Sequence, residues 1–236
     1  MVAIAKGDIV NLNGSRKSVG MKGKEMKKGI IFDVDGTLWN ACAVIADSWN
    51  DYLEKYAPDV KKRVIEPEVK SVMGMTMTDI GDTIFGMLPE KRRREVAENC
   101  FSYEVEYMKT RGGKVYPGVA EVFQELAGEY HLYICSNCQL GYIEDFINWT
   151  GTGHLIEDFL CYGDTGMTKD RNIRMLAERN HLDFAVYVGD TQGDYESTRK
   201  AGYHFIHARY GFGKVDETVP YVENLKELPG VVRKLF

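Results

Sequence analysis

At 236 residues, 44% hydrophobic and with a formal net charge of −5, the chain can bury one large core or two small ones and is too apolar for global disorder. The acidic balance argues against bulk nucleic-acid binding, and no apolar run approaches the ~18 residues of a membrane span. Five scattered cysteines, and an N-terminus without the basic start and apolar core of a secretory leader, point to reduced thiols in a cytoplasm.

Residues 1–25 are rich in Gly, Lys, Asn and Ser, with one weak apolar patch from Asp8 to Leu12. They read as an N-terminal extension, a tail or an added hairpin, and Met21 and Met26 are alternative starts. The first firm element is a strand at about 28–33, apolar on both faces as a buried parallel strand is. It runs into Asp33-Val34-Asp35-Gly36-Thr37-Leu38. In an extended chain residues i and i+2 share a side, so Asp33 and Asp35 face one site at the mouth of a sheet. Two carboxylates that close repel, which implies a cation, a shared proton, or both. Gly36 allows a sharp turn that brings backbone N–H groups near a ligand. A solvated turn is the plain alternative. A calcium loop is excluded, because its glycine and final glutamate positions hold Leu38 and Val44.

From Ala41 to about Arg111 the period turns helical. Val44, Ile45, Trp49, Tyr52, Leu53 and Tyr56 form one stripe, punctuated by Pro58 and Pro67. A second run covers Ile80 to Leu88, and a third starts at Pro89. Within it, Lys91-Arg92-Arg93-Arg94 between Glu90 and Glu95 reads as a solvated helix face rather than a phosphate patch. After Arg111-Gly112-Gly113, helices and strands alternate. Strands are expected at 131–135, 159–162, 185–188 and 203–206, and helices at about 117–129, 139–149, 169–180 and 194–201. That order predicts an α/β fold, a parallel sheet with helices on both faces. The organisation expected is therefore an α/β core made of 26–39 and 112–236, with residues 40–111 inserted as an all-helical unit. Cys135-Ser136-Asn137-Cys138 has redox spacing, but no second pair completes a zinc site.

Ligands of open α/β sheets bind beyond the strand carboxyl ends. There the chain sets Asp33 and Asp35, then Ser136-Asn137, then Lys169, then Asp190 and Asp194. Asp33 and Asp190 supply hard oxygen ligands suited to Mg²⁺, Lys169 adds a cation for phosphoryl oxygens, and Ser136 can hydrogen-bond a phosphate. Two anions ~4 Å apart repel by about 4 kcal/mol at an effective dielectric near 20, so a carboxylate that attacks a phosphate dianion needs these cations.

This set resembles the haloacid dehalogenase superfamily of phosphohydrolases. Asp33-Val34-Asp35-Gly36-Thr37-Leu38 is similar to its first motif, Ser136-Asn137 to the second, Lys169 to the third and Gly189-Asp190-Thr191-Gln192-Gly193-Asp194 to the fourth. Ala201-Gly202 and Tyr210-Gly211-Phe212-Gly213 resemble its phosphoglycolate phosphatase branch, which carries an α-helical cap after the first motif. The resemblance covers about 28–214. It implies a Rossmann-like core, Asp33 as the nucleophile of an aspartyl-phosphate mechanism, and Asp35 as general acid and base. It implies Mg²⁺ on Asp33, the Asp35 carbonyl and Asp190, supported by Asp194. Gly36, Thr37, Ser136, Asn137 and Lys169 would hold phosphate. Asn40, where relatives commonly carry an acid, and Asp170-Arg171, where a proline is frequent, bear on the substrate.

The function expected is a Mg²⁺-dependent phosphatase of small phosphorylated metabolites, with phosphoglycolate the first to try, in a cytoplasmic monomer or homodimer that binds neither nucleic acid nor membrane. Met73, Gly74, Met75, Thr76 and Asp79 are the candidate specificity segment, or else a Met-rich piece of cap core. A phosphosugar mutase of the β-phosphoglucomutase kind is the nearest rival. A non-catalytic phosphate-binding module is the rival of a different class.

Overall fold

Lys28–Phe32 (β1) alternates its side chains between two apolar layers, and this divides the core. Ile30 and Phe32 pack on one side of the sheet and Ile31 on the other. The computed structural model describes residues 26–236, so the expected 1–25 extension lies outside the described residues. After β1 the chain makes a short pair from Trp39–Asn40 (β2) to Lys114–Val115 (β3), antiparallel, with a helical block between them. The block contains Cys42–Tyr56 (α1), Glu66–Val72 (α2), Met77–Ile84 (α3) and Glu90–Arg111 (α4). Its core sits around Trp49, which packs edge-on against Phe101 with ring centroids 5.7 Å apart.

Beyond β3 follow Val119–Leu126 (α5), His131–Ser136 (β4), Tyr142–Thr150 (α6), Ile156–Cys161 (β5), Tyr162–Thr165 (α7) and Lys169–Arg179 (α8). Phe184–Gly189 (β6), Gln192–Ala201 (α9), His204–Ala208 (β7), Tyr221–Val222 (β8) and Leu228–Leu235 (α10) complete the chain. The six-stranded sheet has the order β5-β4-β1-β6-β7-β8, and every pair is parallel. The layer of Ile31, Tyr133 and Tyr187 meets Ile173 and Leu176 of α8 and Ala201 of α9. The other layer meets α5 through Val122 and Phe123 and α10 through Leu228 and Val232. The Rossmann-like parallel sheet with helices on both faces, and the helical insertion, are thus as expected.

Sheet order reverses about β1: the chain adds β4 and β5 on one side, then crosses to β6 and β7 on the other. The carboxyl ends of β1, β4 and β6 therefore surround a switch point, where α/β sheets leave a crevice. The basic run of α4 is a solvated face. Arg92 pairs with Asp59 at 2.7 Å and Arg93 with Asp82 at 2.7 Å. All five cysteines are free and buried, so Cys135 and Cys138 form no disulfide.

Candidate active site

β1 stops at Phe32, one residue before the first carboxylate. Asp33 and Asp35 thus share a cavity not through strand alternation, as expected from the sequence, but through the turn that follows. The Asp33 N–H continues the ladder, donating to Val188 O at 2.9 Å. Trp39 N and Leu38 N both return to Val34 O, and Gly36 N donates to Trp39 O. Gly36 takes φ +81°, and a Cβ there would collide with the Asp190 carboxyl. Turn and acid are packed too closely for any other residue.

Asp33 is 3% exposed, and Lys169 Nζ, at the first turn of α8, donates to its Oδ1 at 2.9 Å. The same ammonium donates to Asp194 Oδ1 at 2.5 Å. Tyr187 OH lies 3.4 Å from Asp33 Oδ1 and donates to Cys135 O at 2.6 Å. Burial raises the Asp33 pKa to about 6, against the lowering pull of Lys169 and with the help of Asp194. Burial opposes the charge of Lys169, but Asp194 and Asp33 outweigh it and the net shift is upward. Asp35 sits apart from this ion network. Its Oδ1 accepts from Tyr142 OH at 2.8 Å, and burial raises its pKa to about 7 despite that bond.

Asp190 is fully buried. Its Oδ2 accepts from Phe212 N at 2.6 Å and Gly213 N at 3.3 Å, so the Gly-Phe-Gly turn grips one oxygen. Its Oδ1 has no partner among the described residues. Burial, then Asp194 and Asp33, push its pKa up. Asp194 caps α9: Oδ2 accepts from Asp190 N at 3.2 Å, Thr191 N at 3.0 Å and Thr191 Oγ1 at 2.8 Å. Carboxylate oxygens of Asp33, Asp190 and Asp194 lie within 4.8 Å of one another. Three hard oxygens against one ammonium leave net negative charge, and Asp190 keeps a buried oxygen without a partner among the described residues. This donor set fits a small divalent cation such as Mg²⁺.

A cavity of about 40 Å³ opens beside this cluster. Asp33, Asp35, Ser136 and Asn137 line it from the sheet side, and Met73, Gly74 and Met75 from the helical block. Asn137 commits its Nδ2 to Gly74 O at 2.9 Å and leaves Oδ1 buried and unpaired among the described residues. Gly36 and Thr37 belong to the turn. Thr37 is fully buried, its Oγ1 likewise unpaired, and its carbonyl accepts from Tyr210 OH at 2.7 Å. Two members of the expected specificity segment work elsewhere: Thr76 is the N-cap of α3, accepting from Asp79 N at 3.3 Å and donating to Asp79 Oδ2 at 2.6 Å. Met73 and Met77 also pack on the block's core.

Sequence reasoning missed Tyr142, Tyr187, Gln139 and Glu104. Glu104 had a signal: Cys100, Glu104 and Met108 recur every four residues, so an acid interrupts the buried stripe of α4. It is 3% exposed; Trp49 Nε1 donates to its Oε2 and Gln139 Nε2 to its Oε1, both at 2.7 Å. Burial pushes its pKa up to about 8.

Known proteins resemble this arrangement along most of its length. A phosphoglycolate phosphatase of Rhodobacter capsulatus is 23% identical over 230 residues, 88% of this chain and 97% of that one. The crystal structure of a predicted phosphoglycolate phosphatase from Haemophilus somnus superposes with a TM-score of 0.74 at 20% identity, covering 89% of this chain and 100% of that one. A predicted phosphatase from Clostridium acetobutylicum does so at 0.72 and 20% identity, with the same coverage. The family model described as haloacid dehalogenase-like hydrolase matches residues 30–208, and the chain belongs to that family.

Proposed function

We propose that this hydrolase is a Mg²⁺-dependent phosphatase of small phosphorylated metabolites, acting through an aspartyl-phosphate on Asp33. One observation carries it: two carboxyls share a cavity with different partners, an ammonium on one and a phenol on the other. Asp33 is bonded to an ammonium, while Asp35 is bonded to a neutral phenol and holds its proton up to a pH of about 7. Carboxyl pairs divided in this way supply one nucleophile and one acid.

The Asp33 oxygen not held by Lys169 attacks phosphorus. As the ester P–O bond breaks, Asp35 gives its proton to the departing oxygen. Asp35, now a carboxylate, takes a proton from water, and the hydroxide formed attacks the acyl phosphate. Asp33 leaves as carboxylate, and inorganic phosphate is released. Lys169 keeps positive charge beside Asp33 throughout, and Ser136 orients the phosphoryl oxygens, while the N–H groups of Gly36 and Thr37 are spent inside the turn on Trp39 O and Val34 O. Asp33, Asp190 and the Asp35 carbonyl would hold Mg²⁺; Asp194, its oxygens already engaged, acts by anchoring Lys169 and the Asp190 loop. When bound, the cation supplies charge that offsets repulsion between carboxylate and phosphate. The helical block, hydrogen-bonded to the sheet through Asn137 and Gln139, acts as a cap that excludes water. The five reduced cysteines suit a cytoplasmic setting.

Phosphoglycolate, in the names of two similar proteins, is the reference substrate for a phosphate-release panel of small metabolites. Asp33→Asn should abolish Mg²⁺-dependent turnover of an aryl phosphate while leaving the circular-dichroism spectrum unchanged. Retained turnover would refute the nucleophile, and isomerised sugar phosphate in place of free phosphate would point to a mutase.

A further inference from the structure

The cavity has two unlike walls. Its sheet side carries the reacting carboxyls and the polar ends of β4. Its cap side is Ile45, Trp49, Met73 and Phe101, with one ionisable group among them, Glu104. Among the described lining residues every charged side chain is acidic: Asp33, Asp35 and Glu104. A buried carboxyl with no cation beside it costs more than an apolar side chain of similar volume, so packing does not account for Glu104. It is also held in place from both domains, by Trp49 of α1 and by Gln139 after β4. Those two donors take one lone pair from each oxygen, and a carboxyl offers about two per oxygen. Hydrogen-bonding capacity towards the cavity remains.

We propose that Glu104 reads the leaving group, selecting phosphomonoesters of neutral, hydroxyl-bearing alcohols over those whose leaving group carries a second anion. This rests on the phosphatase reading and narrows its substrate class. A hydroxyl both donates and accepts, so it satisfies Glu104 whether or not the acid holds its proton. A carboxylate only accepts; it meets Glu104 without repulsion only when the acid is protonated, and the apolar remainder of the wall offers its charge nothing in return. Carbon atoms of the alcohol suit the Met73 and Phe101 surfaces, which adapt to shape more readily than to charge.

The test compares phosphate release from glycerol phosphate and phosphoglycolate by the full-length protein with Mg²⁺ at about pH 9, where Glu104, raised by burial to about 8, is ionised, and uses acetyl phosphate as a probe of the wild-type phosphate site. The wild type should favour glycerol phosphate in kcat/KM by on the order of tenfold or more. Glu104→Gln, which removes the charge and keeps the shape, should narrow that ratio by a similar factor, chiefly by lowering KM for phosphoglycolate. Glu104→Met provides the same ratio should the glutamine variant fail to fold. A wild type that favours phosphoglycolate overturns the proposal, as does a variant in which both substrates change in parallel, since a structural role moves both alike. Acetyl phosphate separates the two layers: if it is cleaved while phosphoglycolate is favoured, only the selectivity proposal falls; if nothing is cleaved, the phosphatase reading falls with it.

Discussion

The Tyr142 hydroxyl sets the pH range open to Asp35. A bond donated to a carboxylate favours the charged form, so Tyr142 holds the Asp35 pKa below where burial alone would take it. With the proton held up to about 7, kcat for an alkyl phosphate should fall on the alkaline side of neutrality as the acid form is lost. Tyr142→Phe removes the bond and should move that limb upward by about 0.5–1 unit, a net hydrogen bond converted at 1.36 kcal/mol per unit. A limb that moves down or stays fixed would detach Asp35 from it. Asp35→Asn should cost on the order of 10²-fold or more in kcat, the usual loss for a general acid, without lowering Tm, because it removes a buried charge. At this scale the sequence was most legible where chemistry is written in short spacings. Asp33, Asp35, Lys169, Asp190 and Asp194 stand beside strand ends in order. Tyr142 is an isolated letter whose partner comes from a distant segment, and Glu104 is marked only as an acid breaking the buried stripe of α4, which says nothing of its partners.

Helix α3 takes the end of the Met73–Asp79 segment, while Met73, Gly74 and Met75 line the cavity. Thr76 is its N-cap, and removal of such a cap typically costs about 1 kcal/mol. Thr76→Ala should lower the urea-unfolding free energy by roughly that amount and leave kcat/KM for an aryl phosphate within about twofold. A large kinetic loss at unchanged stability would return Thr76 to the substrate. The strands at 28–32, 131–136, 184–189 and 204–208 were readable because continuous apolar runs mark buried parallel strands. β2, β3 and β8 have two residues each, too few for any period to register. β5 begins at Ile156 rather than 159 because it is an edge strand and tolerates charge. Glu157 accepts from Tyr133 OH at 2.9 Å, and Asp158 from Arg179 Nε at 2.7 Å. α10 had a readable stripe, Leu228, Val232 and Leu235, that the strand-and-helix alternation did not call for.

Across the whole molecule, buried acids link stability to pH and to metal. Asp33, Asp35 and Glu104 move from the ordinary carboxylate range up to about 6, 7 and 8, each chiefly through burial. Between those limits the folded protein binds more protons than the unfolded chain, so stability falls as pH rises from about 4 to 8. Metal-free protein should therefore lose about 5 °C or more of Tm between pH 5 and 8, at the few degrees per kcal/mol expected for this size. Millimolar Mg²⁺ should restore much of the loss at pH 8 and little at pH 5, where protons compete for the same oxygens. A Tm that rises over that range without metal would mean these acids ionise freely in the folded state. No helix among the described residues is long and apolar enough to cross a membrane.

The β2–β3 pair also governs how such a protein can diversify. Outgoing and returning backbones run side by side at Trp39–Asn40 and Lys114–Val115, so the parent sheet closes in the same way whatever is spliced between them. Ancestral exchange of that intervening stretch can then rewrite which compound is accepted while the bond-breaking apparatus passes down intact.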